Sequence, residues 1–550
     1  MKLFQFDKFK RHNPDSSLMQ LRVRITSSIC AGFCLVAFAF SFFSALQLKM
    51  HSEIPFWVWH AVSPAFSKVV FDAPRYKTLN SVYDKFIDGT IVGTSYSING
   101  SLDDFLKSKS SLDTSARIFP SPDDKGIVIF TELAFRIFGL KIEGVLFLYY
   151  MVLGFSGLIF TFAYRRNPYA LLVLAGFYAC HCLMLPMIKY DLELNGITAL
   201  RCFPILGMVA LLHCILFFFQ RKVTRIDLAL ISLQIALIVF IIFIRSTALW
   251  ELAVVVIMSV FALFCKKGPT LEVEGSSKLM SRFPSLYALC ISLIFFGLLK
   301  AYISFGLPSE YYAKDQLATR AFWHNIYSGF AYNPVLASRE QLKVDDYSIV
   351  EKSRRYLLEK NRENEWQEII GSSKNDLPYD WNKYEIVIRE ALFDLCEKDS
   401  LQCALTFLWY KPISLAKNLL WVYGIKNNPA DMDVFTSSNA GIGTKVRERF
   451  LLATQKLDEH YDRGIYLALK IFGIILIFLM VPIVYANQRQ VHATLCSVGI
   501  LMLGSTIPSL IGYPAPHTVG EAALAFTLFG ISLFLLLGLR IANAARVTRS

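Results

Sequence analysis

About ten apolar stretches of near-membrane length recur along this chain, at roughly 25–48, 143–164, 169–187, 200–219, 226–244, 249–265, 285–306, 465–486, 491–512 and 519–539. As helices, such runs cross about 30 Å of hydrocarbon, and a spanning segment must satisfy its own backbone donors and acceptors. A soluble domain has no place for so many. The composition agrees: 54% of the residues are hydrophobic and only 18% charged across 550 residues. The expected fold class is therefore an all-α polytopic membrane protein with about ten transmembrane helices.

Charge sets the orientation. Lys2, Lys8, Lys10, Arg11, Arg22 and Arg24 precede the first run, and Arg165, Arg166, Arg221, Lys222, Arg225, Lys266, Lys267, Arg489, Arg540, Arg546 and Arg549 all fall on the same side if every run crosses once. That is the positive-inside pattern, so both termini are expected in the cytoplasm. It also accounts for the net charge of +13 without a nucleic acid partner. The first run is too long for a cleaved leader and reads as a retained signal anchor.

The expected organisation is a cytoplasmic segment 1–26, a transmembrane module 27–306 with a first outer loop at 49–142, an extracytoplasmic domain 307–464, further spans over 465–540 and a cytoplasmic tail 541–550. Helical spacing over Asp345 to Arg362 and Asn382 to Glu397 predicts a mainly helical outer domain. Residues 401–424 are apolar but interrupted by Lys411, Pro412 and Lys417, which predicts an interfacial or re-entrant helix. Most of the 11 cysteines lie in or beside apolar runs; Cys396 and Cys403 are the pair open to a disulfide.

Chemistry is to be sought on the outer face. In the first outer loop, Tyr76, Leu79, Tyr83 and Phe86 recur at three- and four-residue steps, predicting a short amphipathic helix with Asp72 at its N-cap. Asp72 has two readings: a helix cap, or a general base whose pKa is raised near the membrane boundary. Asp123 and Asp124 allow the same pair of readings. Lys189, Arg201 and Arg245 are cations at the outer boundary, able to meet a lipid phosphate or to snorkel and pair locally. Trp323, His324 and Tyr327 suit sugar binding or an aromatic core, and His517 lies in the last outer loop.

Asp72-Ala73-Pro74-Arg75-Tyr76, in the first loop after a signal anchor, resembles the Asp-Glu-Pro-Arg-Tyr type motif of the GT-C superfamily, in the aminoarabinose transferase and protein mannosyltransferase branch. The segment from Asp124-Lys125-Gly126 to Arg136-Ile137-Phe138-Gly139 is similar to that by which those enzymes enter their second span, with Gly126-Ile127 where a Pro pair is usual. Arg245-Ser246-Thr247-Ala248-Leu249 resembles an Arg-Pro-Thr-Ala-Leu type junction. Together these cover roughly the first half of the chain.

The resemblance implies a GT-C-like fold and a membrane glycosyltransferase that moves a sugar from a polyprenyl-phosphate carrier to the hydroxyl of a glycan, lipid or protein acceptor. Asp72 would then be the base, with Asp123 and Asp124 as second choices. Arg75, Lys189, Arg201 and Arg245 would bind the donor phosphate, and Trp323, His324, Tyr327 and His517 the acceptor. No cofactor or metal is demanded, and a bacterial inner membrane is the expected location. The alternatives are a polysaccharide polymerase or ligase, and a transporter or flippase of lipid-linked sugars. The few charges inside the spans weigh against transport.

Overall fold

A computed structural model describes residues 16–46, 65, 69, 77–78, 117–118, 125–139, 143–183, 203–265, 269–271, 283–305, 322–344, 346–370, 380–422, 488–514 and 518–547. The chain is an all-α multi-pass membrane protein. Among the described residues, seven helices are long and apolar enough to cross a membrane. The first is α1 (Ser16–Leu46), and α2 (Lys125–Phe138) is a shorter helix before the next span. There follow α3 (Glu143–Ala163), α4 (Pro168–Leu183), α5 (Ile205–Phe218), α6 (Arg225–Ile244), α7 (Leu249–Cys265) and α8 (Phe283–Phe305). Apolar runs 169–187 and 200–219 give only the shorter helices α4 and α5, and run 465–486 lies outside the described residues.

The turns after α3 and α5 meet on one face. There β3 (Lys222–Val223) pairs in parallel with β4 (Thr270–Leu271), and a capping box starts α6, in which Thr224 and Asp227 satisfy each other's backbone donors. Arg165, Arg166, Arg221 and Lys222 lie on this basic face. Arg245 ends α6 on the opposite face. Helices α1 and α4 run parallel, since Cys34 donates to the Leu171 carbonyl and Ser41 lies 3.1 Å from His181.

The helical block, the described residues from Phe322 to Leu405, forms a second hydrophobic core, separate from that of the spans. Its helices are α9 (Phe322–Ser328), α10 (Pro334–Glu340), α11 (Asp346–Glu359), α12 (Glu363–Ile370) and α13 (Trp381–Lys398). Leu357, Ile369, Tyr384, Ile388 and Leu392 meet within it at the helical spacing the sequence shows. Cys396 in the last turn of α13 forms a disulfide with Cys403 of α14 (Ser400–Leu405), with Cα atoms 5.5 Å apart. The bond joins two helices across the break that Asp399 caps.

Helix α14 continues through a π turn (Thr406–Tyr410) into α15 (Lys411–Val422). Pro412 lacks an amide hydrogen and its ring crowds the preceding turn, and the wider π turn accommodates both. Lys411 and Pro412 therefore do not interrupt the helix. Leu401, Leu408 and Trp409 are exposed, as suits a helix lying along a bilayer. Helix α15 packs against α16 (Gln488–Ile511) and α17 (Gly520–Val547), the last two spans.

One local expectation fails. Lys77–Thr78 is a strand, β1, paired antiparallel with β2 (Arg117–Ile118), so no continuous helix runs from Asp72 to Phe86. A partner forty residues away supplies hydrogen bonds that local spacing cannot foretell, and strand propensity follows such context.

Candidate functional site

The candidate site lies around the start of α2, on the Arg245 face. Gly126 sits so close to the end of α6 that a Cβ there would strike the backbone of Phe243 and Ile244. Only glycine allows that approach. Arg245 follows Ile244 directly and is half-buried. One turn into α2, Phe130 packs edge-on against Phe203 at 5.0 Å, and Phe203 packs against Tyr149 of α3. Glu132 of α2 is buried and accepts from Arg136 at 3.0 Å, a pairing along its own helix.

Asp72, Arg75, Asp123, Asp124, Lys189, Arg201 and His517 lie outside the described residues. In the sequence Asp124 lies two residues before Gly126 and Arg201 two before Phe203.

Beside Arg245, α7 and α17 contribute two carboxylates missed by the sequence reading. Glu251 is 0% and Glu521 6% exposed. Trp250 donates its indole N–H to Glu521 at 2.7 Å, and the Arg245 charge also acts on Glu521. Glu251 has no such support: neither carboxylate oxygen has a hydrogen-bond partner among the described residues. Its carboxylate occupies the space that a side chain at Gly207 of α5 would fill. The interior of the spans is thus less free of charge than the sequence implied. A single acid inside an apolar run is the signal that marks such residues.

A second polar cluster lies toward the same face between α1, α3 and α4. His181 is fully buried, its Nδ1 3.1 Å from Ser41 Oγ and its Nε2 3.0 Å from Tyr149 OH; Tyr150 OH is 3.2 Å from Ser41 Oγ. These groups satisfy one another, which is sufficient reason for their burial.

The three described acceptor candidates belong to the helical block. His324 and Tyr327 are buried in its core, and Trp323 is half-buried against Phe393. His324 Nδ1 lies 2.6 Å from Tyr384 OH, while Glu385 accepts the backbone N–H groups of Trp323 and His324. Burial pushes the Glu385 carboxyl above its usual range against the opposing pull of those donors. His324 and Tyr327 thus lie in an aromatic core. Sugar-stacking and core aromatics have the same composition, so only burial separates them.

The helical block is fastened to the spans through Lys411. Its ammonium donates to the carbonyl of Ile511 at 2.8 Å and lies 4.2 Å from the centre of the Phe407 ring. Asn418 of α15 donates to the Pro514 carbonyl, so the loop leading toward His517 is held by the same helix. Burial pushes the Lys411 pKa down to about 7.

No family model, curated protein or solved structure matches the chain.

Glu251 yields a test of stability. A buried carboxyl without hydrogen bonds is costly, and an apolar residue of similar shape is commonly neutral or stabilising. Glu251→Met is expected to raise thermal stability by roughly 1–3 kcal/mol. A fall in the melting midpoint would show instead that Glu251 is held by bonds its fold requires.

Proposed function

We propose that the chain is a membrane glycosyltransferase of the GT-C type, moving a sugar from a polyprenyl-phosphate carrier to an acceptor hydroxyl on the Arg245 face. The observation that carries this reading is the seat of Gly126 on Phe243 and Ile244. It sets the start of α2, which follows Asp124 by one residue in the sequence, beside the helix end that Arg245 follows. Asp72 takes the hydroxyl proton, the hydroxyl oxygen bonds to the anomeric carbon, and the bond from that carbon to the phosphate oxygen breaks. Arg245 and Arg201 meet the charge on the departing phosphate, with Arg75 and Lys189 as further cations. One base and a cationic clamp suffice for this chemistry, with Asp123 and Asp124 as second candidates for the base.

The charge rule favours a place outside the cytoplasm for the Arg245 face, and a bacterial inner membrane is the proposed location. The Cys396–Cys403 disulfide favours an oxidising compartment for the block on that side. Glycan, lipid and protein acceptors all remain in the proposal.

The test is Asp72→Asn in cells, with protein level matched. Loss of product together with accumulation of unused polyprenyl-phosphate sugar is expected. Normal product at normal abundance would remove Asp72 as the base.

A second reading, transport of a lipid-linked sugar, draws on one observation: Glu251 and Glu521 are carboxylates buried inside spans. Movement of labelled carrier lipid across vesicles by Asp72→Asn protein, without sugar transfer, would favour it.

A further inference from the structure

On the basic face, opposite the site just proposed, a cavity of about 430 Å³ opens between the turn after α3, the turn between α5 and α6, and the start of α16. Arg166, Arg221, Lys222 and Arg489 all line it, brought from three places far apart in the chain. Asn167 and Gln220 add hydrogen-bonding side chains. The acid on its wall, Asp227, is engaged by Thr224, whose backbone N–H and hydroxyl approach its Oδ2 at 2.7 and 2.8 Å. Below the cations the wall turns apolar at Leu216, Phe219 and Ala493.

The positive-inside rule explains why this face is basic, but not why four cations ring one concavity. Like charges spread apart over a surface unless something holds them together. Here the holding is built in: Thr270 bonds to the Arg221 carbonyl through both its N–H and its hydroxyl, and β3 pairs Lys222 with Thr270. The volume matches that of small-ligand sites, and a basic pocket between helix ends on this side suits a phosphate group.

We propose that this cavity binds a phosphate-bearing anion, with the cations around the phosphate and the apolar wall beneath it. The headgroup of an anionic phospholipid has that form; a free phosphate compound shares the recognised group. The inference goes beyond the proposed transferase reaction and stands if that reading fails, because it uses none of its residues.

The test is native mass spectrometry of the purified full-length chain, titrated with phosphatidylglycerol, with phosphatidylcholine, and separately with inorganic pyrophosphate. One phosphatidylglycerol bound in preference to phosphatidylcholine is expected, and the Arg166→Gln/Arg489→Gln variant should weaken it by roughly tenfold or more. Arg166→Lys/Arg489→Lys should keep binding, as should Arg165→Gln/Arg225→Gln, which removes equal charge from the same face outside the cavity. Saturable pyrophosphate binding with the same variant pattern would identify a free phosphate as the source. The proposal is overturned if the chain binds phosphatidylglycerol no better than phosphatidylcholine and does not bind pyrophosphate. Equal loss in Arg165→Gln/Arg225→Gln also overturns it, by showing that only the charge of the face matters. Unchanged melting midpoints in the variants establish that the fold is intact.

Discussion

Arg245→Gln is expected to slow sugar transfer from a polyprenyl-phosphate donor by about 10²–10³-fold, measured as initial rate in proteoliposomes at matched protein. The reason is where charge develops. In the proposed reaction, negative charge gathers on phosphate oxygens at a membrane boundary as the bond to the anomeric carbon breaks, where little water remains to screen it and a fixed cation is worth most. Arg245→Lys keeps the charge but not the planar fork, so partial activity is expected. Because the Arg245 charge also acts on Glu521, loss of the cation could disturb the Trp250–Glu521 pair instead. The double variant Arg245→Gln/Glu521→Gln separates the two effects. It removes the uncompensated acid while leaving the donor phosphate without its partner, so its rate should remain low. A rate near wild type for Arg245→Gln at normal abundance would take Arg245 out of the reaction.

The second large effect concerns Lys411. Lys411→Met keeps most of the apolar stem but removes the donor to Ile511, and about 1–3 kcal/mol of docking stability is expected to go with it. The pH dependence has a definite sign. The Lys411 pKa falls from the ordinary 10.5 to about 7 on folding. Between these values the unfolded chain holds a proton that the folded chain has released, so stability rises with pH across that window. It should rise by up to roughly 1.4 kcal/mol per pH unit. Melting midpoints taken from pH 7 to pH 10 should climb more steeply for the wild type than for Lys411→Met. Parallel curves would mean that Lys411 keeps its proton in the folded protein.

Much of the architecture was legible in advance. The runs that became α1, α3, α6, α7, α8, α16 and α17 are set by hydropathy alone, because a spanning helix must be apolar over its whole length. Helices α11 and α13 fall within a few residues of the spacing read over Asp345 to Arg362 and Asn382 to Glu397. The site was less visible. Glu251 and Glu521 vanish when hydropathy is averaged along a run, and only packing reveals that neither meets water. Lys411 looked like an interruption because sequence shows a charge in an apolar stretch, not the carbonyl of Ile511 a hundred residues away. Arg245 alone among the cations proposed for the donor phosphate falls within the described residues. Its nearness to the start of α2 depends on the contact of Gly126 with α6, which a lone glycine in a sequence does not announce.

The π turn at Thr406–Tyr410 has a consequence for how this protein can change. Such a turn is geometrically a one-residue insertion into an α-helix, and one residue is about 100° of rotation. It sets the angular phase of everything that follows, so that Lys411 faces inward while Leu408 and Trp409, just before it, face out. Closing the turn into an ordinary α-helix of the same residues would rotate Lys411 out of phase with the spans. Substitutions along α15 can therefore accumulate one at a time, whereas a change that closed the π turn would lose the lysine's contact and the apolar outer face together.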